Sequence, residues 1–229
     1  MAKGATRLLA LAGCVLFGLI GTPAEAKTDG QQRVVERARL ALDSFLDDPQ
    51  FEYMRVYVQN AYAVLIVPEV LKAGFFLGAE YGVGILLVRD AQSGGWGQPA
   101  FYSLYGGSLG VQFGGSISDR VFTIMNEGAV NQLIAHKVQL GGDMGIALGR
   151  LGAGVGAGTT TQFGEDVYVF SKSKGLFGGV ALDGTVVAPK HDWNEAYYGR
   201  PVDPAKIVRE PSSGRDTEVA ALHDSLTRF

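Results

Sequence analysis

Gly106-Gly107-Ser108-Leu109-Gly110 matches the G-x-S-x-G pattern in which a serine hydroxyl attacks an acyl carbon. That chemistry needs the serine raised on a sharp strand-to-helix turn, with an acid and a histidine later in the chain. His191 with Asp143 or Asp166 supplies the one chain order that fits. The flank argues against it, because Val111-Gln112-Phe113-Gly114-Gly115 continues a strand and no helix opens after Ser108. A second glycine run, Gly152-Ala153-Gly154-Val155-Gly156-Ala157-Gly158, resembles a dinucleotide-binding loop. Thr159-Thr160-Thr161 favours a strand where that motif requires a helix. His136, His191 and His223 stand apart from one another, without zinc-site spacing. The expectation is a non-enzymatic protein with no cofactor and no metal. A small serine hydrolase using Ser108 is the alternative.

Binding chemistry is better represented. Asp166 to Phe170 and Leu176 to Leu182 read as a hairpin whose connection is Ser171-Lys172-Ser173-Lys174-Gly175. Lys172 and Lys174 point the same way in an extended chain, with serine hydroxyls between them. A lysine near an anionic membrane surface contributes about 1 kcal/mol. Two or three give only weak, salt-sensitive attachment unless an apolar residue inserts or a lipid anchor helps. Phe177, next to Leu176, is the candidate wedge. The candidate lipid contacts are therefore Ser171, Lys172, Ser173, Lys174 and Phe177, together with Lys72.

These residues need elements to hold them. Gly30 to Leu46 reads as a helix with Val34, Ala38, Ala41, Leu42 and Phe45 on one face. Asp47-Asp48-Pro49 ends it and caps the next helix, where Tyr53, Met54, Tyr57, Val58 and Ala61 continue a second helical stripe. Ala63 to Val67 reads as a strand buried on both faces and closed by Pro68. From Phe75 to Val88 large residues alternate with Gly78, Glu80, Gly82 and Gly84. Leu109, Val111 and Phe113 against Gly110 and Gly114 repeat the arrangement, as do Met144, Ile146 and Leu148 against Gly145 and Gly149. Glycine weakens a strand, so a repeated glycine face implies sharp curvature or the close approach of another backbone. Asn126 to His136 and Asp192 to Tyr198 read as helices. The expected fold is α+β: a strongly curved, glycine-rich, mainly antiparallel, barrel-like sheet with N-terminal helices and one or two more packed on it.

The first residues read as a secretion signal. Lys3 and Arg7 precede an apolar and small-residue run from Leu8 to Ile20, and Ala24-Glu25-Ala26 offers a cleavage pattern that leaves Lys27 first. That run is too short for a permanent span. Leu11-Ala12-Gly13-Cys14 also matches the pattern before a lipid-modified cysteine, which leaves lipidation at Cys14 as a second outcome. Removing residues 1–26 leaves 18 basic and 22 acidic side chains of the original 20 and 23, a net charge of −4. A weakly acidic domain has no overall attraction for nucleic acid. The remaining chain suits one domain, divided as helices over 27–60, a core over 61–199 within a unit ending at 202, and a polar tail over 203–229. The 33 glycines among 229 residues, about twice ordinary usage, alternate with large residues instead of forming filler. An outer-membrane barrel is the structural rival. Its strands would alternate apolar with polar residues, and these alternate apolar with glycine.

Several ordered blocks go further. Val67-Pro68-Glu69-Val70-Leu71-Lys72-Ala73-Gly74-Phe75 is followed by Tyr81-Gly82-Val83-Gly84, Gln98-Pro99-Ala100-Phe101 and Gly110-Val111-Gln112-Phe113-Gly114. Asp166-Val167-Tyr168, Ser171-Lys172-Ser173-Lys174-Gly175-Leu176-Phe177-Gly178-Gly179-Val180 and Tyr197-Tyr198-Gly199 complete the series. The stretch from Ala61 to Gly199 resembles the SYLF family. The resemblance implies binding to acidic phospholipid head groups, and in eukaryotic members a link to actin. No SH3 or FYVE module accompanies it here. The expected partner is a phospholipid surface or another envelope component, in a periplasmic, secreted or lipid-anchored protein. A self-associating structural envelope protein is a further alternative. The sequence leaves the oligomeric state open.

Overall fold

A computed structural model describes residues 23–74, 77–109, 114–148, 165–174, 184–211 and 216–229. Helix α1 (Pro23–Leu46) buries Ala38, Ala41, Leu42 and Phe45 along the expected face, while Val35 is buried and Val34, expected there, only partly so. Asp48 then caps a short 3-10 turn, Pro49–Phe51, its carboxylate accepting the Gln50 N–H at 3.0 Å. Helix α2 (Met54–Asn60) buries Met54 and Val58. The strands come next as β1 (Ala63–Gly74), β2 (Leu77–Val88), β3 (Ala100–Leu109) and β4 (Gly114–Ile124). After α3 (Glu127–Ala135) come β5 (Val138–Gln139), β6 (Ile146–Leu148), β7 (Val167–Lys174) and β8 (Val186–Pro189). Helices α4 (His191–Tyr198), α5 (Pro204–Ile207) and α6 (Thr217–Thr227) complete the chain.

The eight strands of the described residues form one sheet in the order β5-β8-β3-β2-β1-β4-β7-β6, antiparallel throughout except at β6 and β7. A bridge between Leu140 and Met144 ties the turn that joins β5 to β6, the two outermost strands, and the sheet curls into a half-barrel. Alternate residues face opposite sides of a strand. Leu65, Val67, Leu86, Tyr102, Phe122, Val169 and Val187 therefore line the inner face, where α3 inserts Val130, Leu133 and Ile134. Val64, Ile66, Ile85, Leu87, Phe101, Val121 and Phe170 line the outer face, covered by α1, α2 and α6. The α+β curled sheet is the fold the sequence implied.

The glycine face has the cause expected of it. A Cβ at Gly82 would lie 2.7 Å from a Val67 methyl, and one at Gly84 would lie 2.2 Å from the Ile66 carbonyl oxygen. Strand β2 thus lies close enough to β1 to exclude any side chain there.

Three expectations change. Pro68 does not close β1, which continues to Gly74 through a bulge between Val67 and Val70. The bulge accommodates a residue without an N–H, and Glu69 takes up the turn at φ 49° with its own N–H given to Asp119 at 2.9 Å. Ser171 to Lys174 is not a hairpin tip, because β7 runs through it in register with β4. Finally, 203–229 is no polar tail. Val219, Leu222, Leu226 and Phe229 recur at spacings of three and four, and all are buried against the outer core.

Candidate functional site

The helices on the outer face cover only the near half of the sheet. Toward the far end, where β1 leads into β2, Tyr105, Tyr81, Leu71 and Ile117 are register partners across β3, β2, β1 and β4. They form one transverse row and are 39, 51, 54 and 45% exposed. The next row, Gly107, Ala79, Ala73 and Gly115, is exposed as well and carries only small residues. These two rows hold no charge and reach about 14 Å across four strands. Contiguous exposed apolar surface of this kind marks an interaction site. Lys174, the register partner of Ile117, extends the line of the first row onto β7.

The inner face at the same end is polar. Arg120 grips Glu80 with both terminal nitrogens, at 3.2 and 2.8 Å, and Thr185 donates to the same carboxylate at 2.7 Å. Burial pushes the Glu80 carboxyl up, but the Arg120 hydrogen bonds and charge, Thr185 and Lys72 outweigh it and hold the group below its ordinary value. Gly106 leaves the room this cluster needs, since a Cβ there would lie 3.3 Å from Glu80 Oε1. Ser171, 7% exposed, faces Arg120 across β4 and β7. Its hydroxyl and Arg120 Nε are buried without a hydrogen-bond partner among the described residues.

The lysines expected at a solvated turn are placed differently. Lys172 pairs with Asp48 at 2.9 Å and donates to the Ser44 carbonyl at 2.9 Å, which commits it to the end of α1. Ser173 is exposed, and Lys72 is half-buried in β1 opposite Glu80. Phe177 and Cys14 lie outside the described residues, as does the Gly152 to Gly158 run, while Ala26 and Lys27 lie in α1. Ser108 sits inside β3 as the register partner of Gly78, where a nucleophile elbow would demand a turn into a helix. Asp166 accepts from Asn126 and Gly145, and Asp143 from the Gln139 N–H, so both carboxylates serve turns.

Sequence reasoning gave no binding role to Leu71, Tyr81, Tyr105, Ile117, Glu80 or Arg120. The signal for the outer row was the apolar alternation of β2, which runs past the length that helices can cover. At the opposite end of the molecule a cavity of about 810 Å³ lies among Arg89, Trp96, Val130, Ile134, Val208 and His223. Arg89 there already donates to the Ala61, Val58 and Gly94 carbonyls and lies over the Trp96 ring, leaving little to offer a ligand.

The family described as "Ysc84: Las17-binding protein actin regulator" matches residues 105–229. The chain belongs to the Ysc84 family. An SH3 domain-containing protein, PJ696.02, of Schizosaccharomyces pombe is 33% identical over 168 residues, covering 72% of this chain and 37% of that protein. The SH3 domain-containing YSC84-like protein 1 of Xenopus laevis is 31% identical over 166 residues, with 72 and 49% covered. Protein YSC84 of Saccharomyces cerevisiae is 32% identical over 146 residues, with 62 and 31% covered. The chain thus spans between about a third and a half of these relatives. Within the Ysc84 match fall Tyr105, Ile117, Arg120, Ser171 and Lys172, while Leu71, Lys72, Glu80 and Tyr81 precede it.

Proposed function

We propose that this Ysc84-family chain is a non-catalytic, exported domain that binds the surface of an anionic phospholipid membrane through the far end of its sheet. The observation that carries the reading is the outer row of Tyr105, Tyr81, Leu71 and Ile117, half-exposed and uncharged across four adjacent strands. Tyrosine rings suit the head-group level of a bilayer, with an apolar body and a polar tip, and leucine and isoleucine suit the acyl boundary beneath it. Attachment of this type grows with the apolar area inserted and with attraction to anionic lipid. Lys172, tied to Asp48, adds less to that attraction than a free lysine would. The apolar row therefore takes the larger share. The actin regulation named in the family description is set aside in this reading, which takes the chain to be exported.

Co-sedimentation of residues 27–229 with neutral and anionic bacterial phospholipid vesicles tests the reading. Binding is expected to favour anionic vesicles and to fall at least tenfold in Leu71→Asp and Ile117→Asp variants, whose exposed positions leave the core intact. Absence of vesicle binding, or binding indifferent to both substitutions, overturns it.

A further inference from the structure

The inner face at the far end of the sheet carries a second, separate chemistry. Lys72 on β1, Ser116, Ser118 and Arg120 on β4, and Ser171 and Ser173 on β7 lie on one face of three adjacent strands. Lys72 is the register partner of Ser116, Ser118 of Ser173, and Arg120 of Ser171. This polar wall interrupts an inner face that is otherwise apolar along the near half of the sheet.

Arg120 is 3% exposed, and its two terminal nitrogens are fixed by the Glu80 carboxylate. The direction of its third nitrogen is therefore fixed too. Among the described residues that nitrogen, Nε, has no partner, and neither has the hydroxyl of Ser171, the register partner of Arg120 on β7. Buried polar groups are normally satisfied, so two such orphans on facing residues define a place for something else. Arg120 Nε–H can only donate, and a serine hydroxyl donates equally well, so the missing group is an acceptor. A water would accept from both but would leave the charge unbalanced, since among the described residues Arg120 and Lys72 share the one carboxylate of Glu80. Lys72 is close enough to Glu80 to help lower its carboxyl. An oxyanion answers both needs. Ser118, buried, and Ser173, exposed, form the next row toward the far end of the strands, which supplies a polar approach.

We propose that Arg120, Ser171 and Lys72 form an oxyanion-binding site of the phosphate class on the inner face of the curled sheet. The site stands apart from the outer row, so Leu71→Asp leaves it unchanged whatever that substitution does to vesicle binding. The shared chemistry admits a free phosphate or the phosphodiester of a lipid head group.

Titration of the full chain with inorganic phosphate and, separately, with soluble dihexanoyl phosphatidylglycerol, followed at the Arg120 Nε–Hε resonance by NMR, tests the proposal. Saturable movement of that resonance is expected. A response to phosphate alone assigns a free oxyanion, and tighter binding of the short-chain lipid assigns a head group. Ser171→Ala removes one donor without disturbing any existing hydrogen bond, so it is expected to fold and to weaken binding about tenfold. No saturable movement with either probe, or a Ser171→Ala chain that binds as the parent does, overturns the proposal.

Discussion

Lys172 Nζ lies 2.9 Å from Asp48 Oδ2 and 2.9 Å from the Ser44 carbonyl oxygen, so a lysine of β7 closes the C-terminal end of α1. A cation at that position complements the helix dipole and meets carbonyls left without intrahelical partners. The Asp48 carboxyl is held below its ordinary range, first by its hydrogen bond to Lys172 and then by the Gln50 N–H. Lys172→Ala is expected to lower the melting temperature by about 2 °C, with the difference shrinking at high salt because the pair is partly open to solvent. Vesicle binding should change far less than in Leu71→Asp. A Lys172→Ala chain with full stability and lost membrane binding would restore this lysine to the lipid-facing role its sequence suggested.

Close approach makes a sharp prediction about two glycines. Gly84→Ala would set a Cβ 2.2 Å from the Ile66 carbonyl oxygen, which is backbone and cannot swing aside. A loss of about 3 kcal/mol or outright misfolding is expected. At Gly107 the nearest neighbour to a Cβ is the Gly78 carbonyl at 3.7 Å, an ordinary contact, and the same substitution should be tolerated. Chemical denaturation of the two variants checks the contrast. Equal stability would mean that β2 can drift from the β1 bulge.

Arg120 and Glu80 are separated by 40 residues in the chain and form a buried pair. Removing one partner leaves a charge without compensation, so Arg120→Met should cost about 3–5 kcal/mol. Adding Glu80→Gln to it should recover much of that loss. Because the folded carboxyl lies below its ordinary value of 4.5, its contribution is complete above pH 4.5 and is lost as the pH falls toward the folded-state value. Denaturation curves collected below pH 4.5 should steepen this loss in the parent and flatten it in the double variant.

His223 titrates in the same sense as Glu80, with its pKa lowered in the folded chain. Burial lowers its folded pKa, only partly offset by the Gly97 carbonyl at 3.1 Å and by Asp224. The unfolded chain takes up a proton near 6.5 while the folded chain resists it, so stability is full above 6.5 and declines as the pH falls below. His223→Gln should remove that decline. A parent protein equally stable on both sides of 6.5 would contradict the burial of this ring.

Local patterns were legible wherever one periodicity ruled. The α1 stripe, the Asn126 cap that accepts the Ala129 N–H, and Gly199 ending α4 at φ 64° all arise from neighbours in the chain. Alternation in β2 showed two faces but could not say which length of each is covered. Tyr81 therefore read like a core residue, although no helix among the described residues covers it, and Tyr105 carried no reading at all. The run from Ser171 to Lys174 suggested a turn from its composition. Cross-strand pairing with β4 and the distant Asp48 made it a strand instead. The inner polar site was equally hidden, since Arg120 and Ser171 become neighbours only through the register of β4 and β7.

Helix α6 tests where the folded unit ends. Asp216 opens it by accepting the Glu218 and Val219 N–H groups and also the Tyr197 hydroxyl of α4 at 2.5 Å. Its Leu222 is fully buried in the outer core, and Arg39 of α1 reaches Glu218 at 3.0 Å. Such contacts place α6 over α1 as a structural layer, so Leu222→Ala should cost about 2–5 kcal/mol. A chain ending at residue 215 should expose the α1 face and lose cooperative unfolding. If thermal unfolding of that truncated chain matched the parent, α6 would be an appendage, and the near half of the outer face would be free to bind along with the row at Leu71 and Tyr81.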